Sequence, residues 1–168
     1  MAVSAYEVIS TQTLGSAAAT VTFSSIPQIY TDLVLIANSS TTTVASSEIN
    51  KLTFNSDTAS NYSTTVLGGD GSSAASFRGT GVAYIRAGRN TANGDSYFAQ
   101  NKMQIINYAN ATTFKTVITQ GSEAGAYISA DCGMWRSTSA ITSITLTAGT
   151  NNYKVGSTFS LYGIKAAS

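Results

Sequence analysis

Apolar residues fall on every second position along most of this chain, and no window of useful length carries them at the 3.6-residue spacing of a helix face. Tyr6 and Val8 alternate with Glu7, and Val21 and Phe23 with Thr20, Thr22 and Ser24. Leu52 with Phe54, Met103 with Ile105, Ile144 with Leu146 and Phe159 with Leu161 repeat the pattern against mostly polar neighbours. Successive side chains of a strand point to opposite faces, so each run reads as a strand with one face in a core and one in water.

The run Leu33 to Ala37 does not alternate and reads as a central strand covered on both faces, with a neighbouring subunit as one candidate cover. Phe114 to Gln120 and Ala126 to Trp135 add further strands. The expected fold is all-β: a jelly-roll-like sandwich of about nine to eleven short antiparallel strands. It forms one domain over residues 1–168, with no linker or long-period repeat. Turn signals separate the runs. Gly68-Gly69-Asp70-Gly71 is a loop, and Asn50 and Asn55 flank the Leu52–Phe54 strand. Asn93-Gly94 favours a type I′ turn, which predicts a protruding hairpin between Val82–Arg86 and Tyr97–Tyr108. Ala45 to Lys51 has room for one helical turn.

Composition then narrows the chemistry. About three residues in ten are Ser or Thr, 10% are charged against about 25% in an ordinary domain, and there is no His. Without His, the usual nucleophile–base pairs and His-containing zinc sites are missing, and no enzymatic activity is expected. Cys132 stands beside Asp131, an acidic neighbour that raises a thiol pKa, so it reads as a small apolar residue. Glu123 and Asp131 could face each other across a hairpin as a glycosidase-like pair, with Asp57 and Asp70 in polar loops. Solvated turn positions explain all four as well. Asn55-Ser56-Asp57 and Gly69-Asp70-Gly71 lack the carboxylate density of a calcium loop. No cofactor is expected.

Net charge is +1, with five Lys and four Arg scattered singly, so neither a nucleic acid nor a membrane is an expected partner. No basic segment followed by an apolar stretch suggests a signal peptide at the start, and assembly in a host cytoplasm is expected. So few charges give the sheet edges little protection, which points to coverage by a partner, most simply copies of the same chain. The nine tyrosines read chiefly as packing residues with wet tips. Tyr84, Arg86 and Arg89 are the candidate partner-contact residues, because Tyr and Arg are over-represented at contact hot spots; solvated loop charge is the alternative for both arginines.

Several stretches resemble a family of small β-rich virion structural proteins of tailed bacteriophages. They are Val21 to Ile36, Leu52 to Tyr62, Asn107 to Thr116, Trp135 to Ile144 and Gly156 to Ile164, which together span nearly the whole chain. The resemblance implies a virion protein with no catalytic residues. Its expected role is head decoration, or cement: binding the major capsid protein or another virion protein on the outer capsid surface and bracing it. A symmetric homo-oligomer, by analogy a trimer, is expected. The alternative is a tail-fibre, spike or host-adhesion module that binds a receptor or glycan.

Overall fold

The computed structural model describes residues 5–42, 48–91 and 97–165. Among them are twelve strands and no helix, one strand more than the upper end of the expected range. They are β1 (Tyr6–Thr13), β2 (Thr20–Phe23), β3 (Asp32–Ser39), β4 (Ile49–Phe54), β5 (Tyr62–Gly69), β6 (Ala74–Val82), β7 (Ile85–Arg89), β8 (Ala99–Ile106), β9 (Lys115–Glu123), β10 (Tyr127–Trp135), β11 (Ile144–Ala148) and β12 (Thr158–Ile164).

They form two antiparallel sheets. The larger runs β1-β12-β3-β8-β9-β10-β5-β6 and the smaller β2-β11-β4-β7. Removing β1, β12 and the β9–β10 hairpin leaves β3-β8-β5-β6 opposite β2-β11-β4-β7. Between these the chain switches sheets in the order of a jelly roll. The hairpin is thus an insertion that widens one sheet. One continuous core fills the space between the sheets, from Val21, Phe23, Leu52, Phe54, Ile144 and Leu146 on the small sheet to Leu33, Leu35, Met103, Ile105, Phe159 and Leu161 on the large one.

The structure corrects several local expectations; Gly68 and Gly69, expected in a loop, are the last paired residues of β5. β7 pairs with β4 in the small sheet while β8 pairs with β3 and β9 in the large one, so Val82–Arg86 and Tyr97–Tyr108 are not a hairpin. The chain crosses between sheets there, and Asn93-Gly94 lies outside the described residues. The possible helical turn at Ala45 to Lys51 gives way to β4 from Ile49 onward, its earlier part lying outside the described residues. The Leu33–Ala37 strand is central, and within the single chain its outer face is covered only in part. Val34 is buried on the outer side, where it sits between Tyr162 and Gln104, whereas Ile36 is exposed.

Candidate functional site at the polar mouth between the sheets

The inward-facing residues of the large sheet form cross-strand rows whose character changes along the strands. One row reads Leu33, Ile105, Val117, Gly133; the next reads Leu35, Met103, Thr119, Asp131, Val66, Phe77. Further on come Ala37, Asn101, Gly121, Ser129 and Gly68. Apolar bulk thus gives way to small and polar residues toward one end, where β7 lies against the large sheet.

Two backbone features allow that close approach. Gly133 faces Ile85, whose Cγ2 would stand 2.2 Å from any Cβ there. Gly88 has a φ of 79°, and a Cβ would meet Asn101 Oδ1 at 1.8 Å, so only glycine fits. Side chains of the large sheet then capture the β7 backbone. Gly88 N–H donates to Asp131 Oδ2 at 2.8 Å, and Asn101 Nδ2 donates to the Arg89 carbonyl at 2.7 Å. Beyond β7, Ser39 Oγ donates to Asn90 Oδ1 at 2.5 Å.

Around this contact lies a pocket of about 140 Å³, lined by Ile49, Val66, Phe77, Arg86, Gly88, Arg89, Tyr127, Ser129 and Asp131 among others. The Arg86 guanidinium lies 5.0 Å from the Phe77 ring centre, and that of Arg89 3.6 Å from the Tyr127 ring centre. Such cation–π stacking holds a guanidinium plane without using its N–H donors. Asp131 is 4% exposed, and its Oδ1 has no hydrogen-bond partner among the described residues. Burial pushes its carboxyl above the ordinary carboxylate value; the Gly88 N–H, the Ser129 hydroxyl, Arg86 and Arg89 pull the other way.

Of the three candidate contact residues, the fold brings Arg86 and Arg89 to one pocket. Tyr84 stands in the adjoining cavity of about 240 Å³ with Arg86 and Phe77, its ring under Lys51 Nζ at 5.2 Å. Asp131 belongs to the same pocket but was expected in another role, opposite Glu123. On the β9–β10 hairpin Glu123 is opposite Tyr127 and Asp131 opposite Thr119. Both face inward, yet four residues of strand separate the two levels, about 13 Å at 3.3 Å per residue, beyond the 5–9.5 Å a glycosidase pair needs. Nor are they solvated turn residues, since both are buried.

The other acids have structural duties. Asp57 Oδ2 accepts from Trp135 Nε1 at 2.7 Å and Asn61 Nδ2 at 3.0 Å, and its Oδ1 from the Ala59 N–H at 2.9 Å. Asp70 Oδ1 accepts the Ser72 and Ser73 N–H groups within its turn. Cys132 is exposed on the outer face of the large sheet.

That outer face is the second surface of note. Its rows place Ile36, Lys102, Gln120, Ala130 and Leu67 side by side, next to Gln104, Ile118, Cys132 and Thr65. Ile36, Leu67, Ile118 and Ile128 are exposed there, and all but Ile118 line a broad depression of about 770 Å³. From β12 to β6 the outward positions include three charged residues, Asp32, Lys102 and Arg78. The sequence pattern could not show this face, because its aliphatics are isolated among Gln, Ser and Thr.

No protein-family model matches the chain, and a search of curated proteins finds no similar sequence.

Proposed function

We propose that this protein is a virion structural protein of a tailed bacteriophage, a head-decoration subunit that works by adhesion and breaks no bonds. The observation that carries the reading is the outer face of the eight-stranded sheet. Neighbouring strands about 4.8 Å apart and about seven residues of strand make that face roughly 34 by 23 Å, or about 800 Å². A standard interface buries about that much on each partner. Its exposed aliphatics among amides and hydroxyls suit docking on another protein surface, with few charges to desolvate.

Oligomer formation is part of the proposal. β6 is an edge strand whose residues are nearly all exposed, with open backbone groups available to a neighbouring subunit. Docking only to the assembled capsid would stabilise that state by mass action and brace neighbouring capsomers.

Immunogold labelling of whole virions and heating of virions lacking the protein test the reading. Label on the head and earlier genome leakage on heating are expected. Label confined to the tail overturns the decoration role in favour of an adhesion module. Unchanged heat tolerance overturns the bracing mechanism.

A further inference from the structure

The pocket at the mouth between the sheets holds more binding chemistry than the fold uses. Among the described residues, neither the Arg86 nor the Arg89 guanidinium has a hydrogen-bonded or ion-paired partner; each is held against a ring, with its N–H donors left over. Asp131 lines the same pocket, buried, with Oδ2 accepting the Gly88 N–H and Oδ1 meeting no donor at full hydrogen-bond geometry among the described residues. A buried carboxylate oxygen without a donor is costly unless something supplies one. Ser129, on the neighbouring inward position of β10, adds a hydroxyl that lies close enough to Asp131 to favour its ionised form without completing a hydrogen bond to Oδ1. Ile49, Val66 and Phe77 give the pocket an apolar wall.

These features specify a ligand. Two arginines and one aspartate leave a single net positive charge, which suits one carboxylate better than a doubly charged phosphate that Asp131 would repel. The guanidinium fork matches a carboxylate in geometry. Asp131 Oδ1 asks for a donor hydroxyl, and the apolar wall for a carbon face. About 140 Å³ suits a single small ring. We propose that this pocket binds an acidic sugar, with the sugar carboxylate on Arg86 and Arg89 and a ring hydroxyl donating to Asp131 Oδ1. The inference does not rest on the decoration reading: a subunit bound to a capsid through its outer sheet face could carry such a pocket, and so could a free one.

The shared chemistry, a carboxylate beside hydroxyls, occurs in a free sugar acid and in the terminal uronate of a polysaccharide. Titration of the intact protein with D-glucuronate, followed by the amide signals of Gly88, Arg89 and Ser129, tests the site directly. The expected result is millimolar binding, at least tenfold tighter than D-glucose or acetate. Asp131→Asn and Arg89→Lys, which preserve shape or charge, should each weaken it at least tenfold while leaving the amide spectrum of the core unchanged. A uronate-terminated oligosaccharide that binds more tightly than glucuronate assigns the ligand to a polysaccharide end, and equal binding assigns it to the free sugar acid. Acetate binding as well as glucuronate would overturn the sugar class and give the site to acidic side chains of a protein. Glucose binding equally well would overturn the role of the arginines. Glucuronate binding unchanged in both variants, or none at all, would remove the site.

Discussion

The two ends of the sandwich interior are built on opposite principles. At one end Phe54, Tyr62 and Trp135 pack together, with Tyr62 and Trp135 stacked at 6.3 Å and Phe54 5.7 Å from Trp135. The polar tips of its large side chains are partnered. Trp135 Nε1 donates to Asp57, Tyr62 OH donates to the Asp57 carbonyl at 2.9 Å, and Tyr108 OH donates to the Pro27 carbonyl. Even the buried Lys115 reaches the Thr113 and Thr138 carbonyls at 2.8 and 3.1 Å. At the other end Asn101 Oδ1, Thr119 Oγ1 and Asp131 Oδ1 are buried without hydrogen-bond partners among the described residues. Stability is concentrated where apolar area and satisfied polar atoms coincide, whereas the mouth keeps polar groups that cost stability and need a reason outside the fold.

Substitutions at the two ends should separate them. Trp135→Ala removes the ring at the centre of the aromatic cluster and leaves Asp57 without its donor, so a loss of about 3–5 kcal/mol in urea unfolding is expected. Gly88→Ala should cost about 2–4 kcal/mol, because a Cβ there is strained by the positive φ and collides with Asn101. A smaller loss for Trp135→Ala than for Gly88→Ala would reverse the ranking of the two ends.

Asp57 sharpens the contrast through pH. The bond from Trp135 Nε1, then that from Asn61, then the Ala59 N–H hold its carboxyl below the ordinary value of 3.8, against the opposing effect of burial. A depressed folded pKa gives stability that is complete above the unfolded value and is lost as the pH falls through the folded one. Asp57→Ala should therefore cost about 2 kcal/mol at neutral pH and show a shallower acid decline than wild type below about pH 4. Equal acid slopes in both proteins would refute the assignment.

The same contrast explains what the chain disclosed before its fold was known. The all-β class was legible because alternation at Val21–Phe23, Leu52–Phe54 and Ile144–Leu146 is a strong apolar signal. β5 and β6 escaped because their signal is weak: Tyr62–Gly69 alternates partly through hydroxyls, and Ala74–Val82 is an exposed edge strand with almost nothing to bury. The β7–β8 crossover reads as a hairpin in sequence because a turn dipeptide is local while the choice of sheet depends on distant partners. At the site, residue type alone singles out Arg86 and Arg89. The carboxyl of Asp131 stands out in sequence but its neighbour does not, because a one-dimensional pattern gives the face of a strand but not what the opposite sheet sets against it.

At the mouth itself, Asp131→Asn should leave stability at pH 7 unchanged or raise it by about 1 kcal/mol, since the amide can still accept the Gly88 N–H and no longer carries a buried charge. Burial raises the wild-type carboxyl, so the folded state binds the extra proton between the unfolded value, near 3.8, and the raised folded one. Wild-type stability therefore falls as the pH rises through that window, and the variant should lose this component. A large destabilisation would make Asp131 a structural residue like Asp57 and erase the distinction between the ends.

The smallest stability effect belongs to the outer face. Leu67 and Ile128 are 62% and 67% exposed, so Leu67→Ser or Ile128→Ser removes little buried area and should change unfolding by no more than about 0.5 kcal/mol. Each also withdraws a contact that a docked partner would bury, worth about 1 kcal/mol or more near the centre of an interface. The double variant should thus unfold like wild type yet fail to co-sediment with virions that lack the protein. If it binds those virions normally, adhesion runs through another surface, and the exposed β6 edge becomes the next to test. Adhesion lost together with stability would mean instead that these aliphatics support the sheet and that the face has no docking role of its own.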